Sequence, residues 1–278
     1  MKQKEGGMET RDFMVSGEGF HVVPAGTEGV LCTRPCPEDL SRYYDSPDYL
    51  SHTDGGSGLL GWFYARARAL NLSRKLGGIA RVIPTQGRLL DLGAGTGAFV
   101  RKAREKGFEA QGMEPNAEAR KQALQKGVEL HPDLHTIAAQ KFDVITLWHV
   151  LEHIPDLEVQ LNWLQAHLEP GGLLVLALPN YQSWDARHYA GHWAGYDVPR
   201  HLWHFSRQGI QNTLQPYGFT CTQIRPMWMD AFYVAWLSER YRQKRFPMIR
   251  GFFKGMYSNG CALFTGQYSA LTYYFRRY

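Results

Sequence analysis

Beyond about residue 86, short apolar blocks alternate with stretches whose apolar positions recur at helical spacing. "GRLLDLG" predicts a buried strand, "GAFVRKAREKG" a helix stopped by Gly107, and "FEAQGMEP" a second strand. "NAEARKQALQKG" predicts a helix with Asn116 as its N-cap and Gly127 as its terminator. "VELHPD" is a weak third strand and "FDVITLWHV" a strong fourth. A helix over "DLEVQLNWLQAHLEPGG" and the apolar strand "LLVLALPN" follow. Repeated strand–helix units with apolar strands specify an α/β class, a mostly parallel sheet with helices on both faces. A helix from Ser206, a strand "FTCTQIRP", a helix-like insertion "DAFYVAWLSERYRQ" and a last strand "SALTYYFRRY" complete the pattern.

The flanking text differs. Residues 1–57 are rich in Gly, Pro and Thr, with brief strand-like runs such as "FHVVPA", and read as an extension or cap. Residues 58–83 carry apolar positions at helical spacing, broken by Gly77 and Gly78, and open a main domain that runs from 58 to 278. Within it, 181–205 is an aromatic, histidine-rich loop on the acceptor side, and 227–255 is a helical insertion. The aromatic part of that insertion, Met227 to Tyr241, is open to three readings: the wall of an apolar pocket, a dimer contact, or a helix lying on a membrane surface.

The chemistry starts at "DLGAGTG", where Gly93, Gly95 and Gly97 alternate directly after a predicted strand. A dinucleotide turn prefers a G-x-G-x-x-G spacing, although Ala98 in the last place is tolerable, so the glycines alone leave that ligand open. Asp91 stands where a pyrophosphate would approach, and its charge would repel that group. Glu114, at the end of the second strand, can accept hydrogen bonds from both hydroxyls of a ribose. A ligand with a ribose and a cationic region, but no required phosphate, is S-adenosylmethionine. The glycines let the backbone pass close to its methionine portion.

On "LLDLGAGTGAFV", "GMEP", "FDVITLWHVLEHIPD" and "LEPGGLLVLALPN", over about residues 86–220, the chain resembles the class I S-adenosylmethionine-dependent methyltransferases, and among them bacterial quinone- and sugar-type enzymes. The resemblance implies a Rossmann-like, seven-stranded sheet with a reversed final hairpin and the cofactor over the carboxyl ends of the first strands. It also implies that Trp148 and His149 line the cofactor and acceptor cleft, with Asp133 a loose match to the region near the adenine.

Two segments offer acceptor-side chemistry. "WHVLEHIPD" groups His149, Glu152 and His153. In quinone O-methyltransferases a similar E-x-x-E-H arrangement is associated with a divalent cation. Here His149 replaces the first acid, so no metal is expected and Glu152 and His153 are read as bracing the strand–helix junction. "YDVPRHLWHFS" offers Tyr196, Asp197, Arg200, His201 and His204. A neutral histidine there can take a proton from a hydroxyl as a methyl group transfers, and His201 leads, with His204 and Tyr196 as further catalytic candidates. The segment is also similar to one in sugar C-methyltransferases, but Arg200 replaces the acid before the histidine, which counts against C-methylation. Those relatives carry an N-terminal zinc lobe with paired cysteines. Cys32 and Cys36 alone do not rebuild it, and a relic lobe is expected that covers the cofactor and supplies Tyr44 or His52.

Composition adds limits. The net charge of +5 over 278 residues is dispersed, which does not favour nucleic acid as a partner. Four scattered cysteines make no disulfide framework. No signal-like start and no long apolar run are present, so no membrane span and a cytoplasmic location are expected. The expected function is methyl transfer from S-adenosylmethionine to a small molecule, O-methylation favoured. An RNA or protein methyltransferase and a non-catalytic cofactor-binding module are the alternatives. Nothing in the sequence sets the oligomeric state.

Overall fold

The computed structural model describes residues 7–44, 72–83, 86–137 and 140–278. His52 and most of the 58–83 helical stretch lie outside the described residues; helix α1 occupies 72–79.

The larger sheet contains β4 (Arg88–Leu92), β5 (Glu109–Met113), β6 (Phe142–Trp148), β7 (Leu168–Pro179), β9 (Phe219–Pro226) and β10 (Ala270–Arg277). Their order is β5-β4-β6-β7-β10-β9. The first four are parallel, and β10 runs antiparallel to both β7 and β9. Both faces are covered, which is why the strands read as continuous apolar runs rather than alternating ones. Leu90, Leu92, Ile145, Leu147, Leu174 and Leu176 join one core. Their neighbours Leu89, Val144, Leu173 and Val175 turn to the other, against Phe99, Val100 and Ala103 of helix α2 (Ala98–Glu105). Helix α3 (Ala117–Gln125) starts as expected, with the Asn116 side chain accepting from Ala119 N. Helix α4 (Leu157–His167) is capped by Asp156 in the same way.

Six strands form this sheet among the described residues, where seven were expected. "VELHPD" contributes one parallel bridge, Met113 to His131. The His131 N–H donates to Gly112 O and its carbonyl accepts from Glu114 N, each at 2.9 Å. Pro132 follows with no N–H to extend the pairing.

The N-terminal residues are more regular than their composition suggested. β1 (Met8–Arg11), β2 (Gly19–Pro24) and β3 (Val30–Arg34) form an antiparallel sheet completed by β8 (Trp203–Phe205), whose Phe205, His204 and Trp203 face Val30, Leu31 and Cys32. The fourth strand therefore comes from the end of the histidine-rich loop. Short helix α5 (Trp184–Tyr189) lies within that loop and α6 (Gly209–Leu214) follows it. The Ser206 hydroxyl accepts from Gly209 N, so the helix expected from Ser206 begins three residues later.

Between β9 and β10 stand α7 (Asp230–Tyr241) and α8 (Pro247–Thr265). The helical insertion was expected over 227–255; a second helix extends it to 265. Its glycines look like breakers in the sequence but serve close packing: a Cβ on Gly251 would lie 2.5 Å from Trp236 Cα, and one on Gly255 would lie 2.9 Å from Phe232 Cα.

Gly97, at the entrance to α2, has φ of +71°, and a Cβ there would lie 2.9 Å from Val128 Cγ1. Gly97→Ala is therefore expected to destabilise the chain by about 1–3 kcal/mol in denaturant unfolding. An unchanged midpoint would contradict this packing.

Candidate active site

The end of β4 delivers Asp91 and then the glycine turn. Gly93, Gly95 and Gly97 have φ of +70°, +55° and +71°, a backbone that L side chains rarely adopt. A Cβ on Gly93 would strike Val150 at 2.4 Å, whereas one on Gly95 would point into open space. Gly95 thus leaves a cradle that a side chain would fill. The turn is tied to β5: Ala94 N donates to Met113 O at 2.9 Å, and Gly95 N donates to Glu114 Oε2 at 2.8 Å. Glu114 Oε1 accepts from Asn116 N, and each oxygen retains a lone pair for a ligand hydroxyl.

Asp91 is 2% exposed and accepts a 2.6 Å hydrogen bond from Thr146 Oγ1. Burial pushes its pKa up to about 7 against the Thr146 bond and the Lys75 charge, which lower it; Glu114 adds to the rise. A cation placed beside it would favour the ionised form. Trp148 ends β6 with its ring edge-on to Phe99, and its buried indole N–H has no hydrogen-bond partner among the described residues. An open glycine cradle, a buried acid suited to a cation, an acid with spare acceptor capacity and an orphaned N–H together fit S-adenosylmethionine. Asp133 caps a 3-10 turn, accepting from His135 N and Thr136 N.

The residues that follow β6 gather around Glu152. The chain leaves β6 through His149, whose φ is +57°. Its Nε2 lies 3.3 Å from Asp230 Oδ2 and its Nδ1 3.5 Å from Glu152 Oε1. Burial opposes the charge, but the two carboxylates prevail and raise the His149 pKa to about 9. His149 is an imidazolium at neutral pH, a donor rather than a base. Glu152 is 1% exposed, and neither carboxylate oxygen has a hydrogen-bond partner among the described residues. Burial raises its pKa, yet the His149 imidazolium paired with it at 3.5 Å helps hold it below the ordinary value.

His153 and His201 pack edge to face, with centroids 4.5 Å apart. His153 Nδ1 lies 3.0 Å from the Arg200 carbonyl, and His201 Nδ1 lies 3.0 Å from the Gly195 carbonyl. A carbonyl only accepts, so both Nδ1 atoms carry hydrogen and both Nε2 atoms present lone pairs when the rings are neutral. Burial and the neighbouring His201 lower the His153 pKa to about 4. Glu152, His153 and His201 bring ligand-capable atoms within 4.8 Å of one another, a two-nitrogen, one-oxygen set able to hold a divalent ion. Tyr44 reaches this group from the N-terminal segment, with its hydroxyl 3.1 Å from His153 Nδ1.

His204 and Tyr196 lie behind it. His204 Nε2 is 2.9 Å from Thr33 Oγ1, whose own hydrogen goes to the His201 carbonyl at 2.6 Å. Burial lowers the His204 pKa to about 3. Tyr196 packs against Trp193 and His204, and burial raises its pKa. Arg200 is 1% exposed and donates to Asp197 at 2.7 Å, Asp12 at 3.0 Å and the Tyr43 carbonyl at 2.9 Å. The sequence reading did not foresee Asp12, Thr146 or Asp230 at the site. Asp12 is 188 positions from Arg200, and no local pattern links them.

The profile of a methyltransferase domain family matches residues 64–224, more than half of the chain. The chain belongs to the S-adenosylmethionine-dependent methyltransferases. The ubiquinone biosynthesis O-methyltransferase of Aeromonas salmonicida is 33% identical over 103 residues, 34% of this methyltransferase and 43% of the relative. That of Xanthomonas axonopodis pv. citri is 31% identical over 111 residues, 36% and 46% of the two chains. This methyltransferase therefore spans less than half the length of these curated relatives. Among solved structures, a putative sarcosine dimethylglycine methyltransferase from Galdieria sulphuraria superposes with a TM-score of 0.51 at 16% identity, over 74% of this chain and 83% of that one. Phosphoethanolamine N-methyltransferase 2 of Haemonchus contortus, in complex with S-adenosyl-L-methionine, gives 0.51 at 17% identity over 74% and 52%. At that identity both show the fold.

Between the ordinary 3.8 and about 7, the unfolded chain releases the Asp91 proton while the folded chain keeps it. This group's contribution to stability therefore falls as pH rises across that window, and a bound cation offsets the loss. S-adenosylmethionine binding is expected to tighten as pH rises through about 7, and Asp91→Asn is expected to flatten that dependence. Identical calorimetric pH profiles for the two proteins would contradict the role of Asp91.

Proposed function

We propose that the protein methylates the hydroxyl of a small molecule, with Asp91, Gly93, Gly95, Gly97, Glu114 and Trp148 holding S-adenosylmethionine. The observation that carries this reading is the buried Glu152 carboxylate, paired with His149 at 3.5 Å and with no closer hydrogen-bond partner among the described residues, beside imidazoles whose Nε2 atoms are kept available by backbone carbonyls. When bound, the cofactor supplies a methyl group made electrophilic by its sulfonium.

His201 takes the acceptor's hydroxyl proton on Nε2. Glu152 balances the imidazolium that results, in a buried setting where charge interactions are strong. His149, already protonated and held by Asp230 and Glu152, donates to an acceptor oxygen and keeps it aligned. His204 and Tyr196 act as positioning residues behind His201. The described part of the N-terminal segment, residues 7–44, acts as a cap and contributes Tyr44. The names of the quinone-biosynthesis relatives favour O-methylation of an aromatic or quinol-like hydroxyl.

The specific grouping of Glu152, His153 and His201 also favours a second reading, in which a divalent ion binds the acceptor oxygen. Chelation separates the two. Turnover that survives exhaustive dialysis with a chelator supports direct proton transfer, and turnover lost and restored by a metal supports the ion.

A screen of phenols and catechols with S-adenosylhomocysteine release as readout should find an acceptor. With it, His201→Ala is expected to lower kcat by about 10²–10⁴-fold while leaving S-adenosylhomocysteine affinity unchanged. Undiminished turnover would remove His201 from the mechanism.

A further inference from the structure

Helix α8 is built inside out. Its buried face carries small and polar residues, Gly251, Gly255, Ser258, Asn259 and Ala262. Backbone contact at the two glycines draws α8 onto α7 and leaves no room there for large side chains. The opposite face shows Met248, Ile249, Phe252, Phe253, Met256 and Phe264, each 51–93% exposed. A continuous apolar helix face of this kind is a docking surface rather than ordinary scattered exposure.

Its charge indicates what covers it. From Arg240 to Tyr278 the chain contains no Asp or Glu. Arg240, Lys244 and Arg245 are exposed at the turn of the hairpin, just before α8. Arg250 and Lys254, four residues apart, run along one border of the apolar sector. Arg250 is held by Glu239 at 2.6 Å, and Lys254 lies over the Trp184 ring. An occupant that supplies hydrocarbon to the aromatic face and negative charge to its cationic end is complementary. A second copy laid on this surface would bring two acid-free helices together.

We propose that α8 seats in the plane of an anionic bilayer surface, with its phenylalanines at the headgroup–acyl boundary and Arg240, Lys244 and Arg245 against acidic headgroups. No described helix is long and apolar enough to cross a membrane, so the helix lies on the surface. The base of the hairpin borders the acceptor side: Asp230 opens α7 and touches His149, and Asn259 Nδ2 donates to Trp228 O at 2.9 Å. A docked hairpin therefore holds the site at the bilayer surface. This inference stands on the surface of α8 and is independent of the reaction assigned above.

Flotation with phosphatidylcholine vesicles, with and without phosphatidylglycerol, tests it on the full chain. Binding is expected to the anionic vesicles only, to weaken as salt rises, and to fall at least about tenfold in Phe253→Glu/Phe264→Glu. That variant should bind S-adenosylhomocysteine as the wild type does, which separates a lost docking face from a misfolded chain. Failure to bind anionic vesicles, or equal binding by the variant, overturns the proposal. A wild-type dimer in light scattering that the same variant converts to monomer also overturns it, in favour of a second copy.

Discussion

A guanidinium taken out of water has to find its hydrogen-bond partners inside the protein, and Arg200 imposes that requirement on three separate parts of the chain. At 1% exposure it donates to Asp197 in its own loop, to Asp12 in the turn after β1, and to the carbonyl of Tyr43. Asp12 is committed in turn, accepting from the backbone of Met14, Val15 and Ser16. The planar fork of arginine suits this three-way tie, and a lysine could not reproduce it. Its own carbonyl meets His153 Nδ1, and its neighbour is His201. One buried cation thus ties the N-terminal segment to the loop that carries His201 and whose Arg200 carbonyl meets His153.

The site has two halves with different physical origins. The cofactor half rests on backbone conformation: three glycines at positive φ, stitched to β5 through Glu114. The proposed acceptor half rests on buried charge. Glu152 lacks hydrogen-bond partners among the described residues, His149 is held as a cation by two carboxylates, and His153 is held neutral. Buried polar groups left without partners are costly, and they concentrate where a protein keeps them for a ligand or a reaction. The two halves join at the end of β6, where Trp148 packs on Phe99 of α2 and His149 pairs with Glu152 and Asp230.

Local chemistry was legible in the sequence. Asn116 announced its cap, the strands announced their burial, and the glycine turn pointed to the S-adenosylmethionine-dependent family that the domain match shows. Three features were not legible, for identifiable reasons. "VELHPD" looks like a strand because its apolar positions alternate, but Pro132 stops the ladder after one bridge. The glycines of α8 look like helix breakers because a single sequence cannot show that Trp236 and Phe232 pack against them. The Asp12–Arg200 pair leaves no local trace, because its members meet only after the two sheets form. His201 was singled out by residue type; its orientation by Gly195 O and its proximity to Glu152 required coordinates.

The central claim is that the turn after β4 and the acid after β5 hold an adenosyl cofactor. Calorimetric titration of the full chain with S-adenosylmethionine and S-adenosylhomocysteine tests it most directly. One equivalent of either is expected to bind, and Glu114→Ala is expected to weaken both by about tenfold or more, as loss of a charged hydrogen-bond acceptor requires. Absence of binding by the folded wild-type chain, or undiminished affinity in Glu114→Ala, would contradict the account.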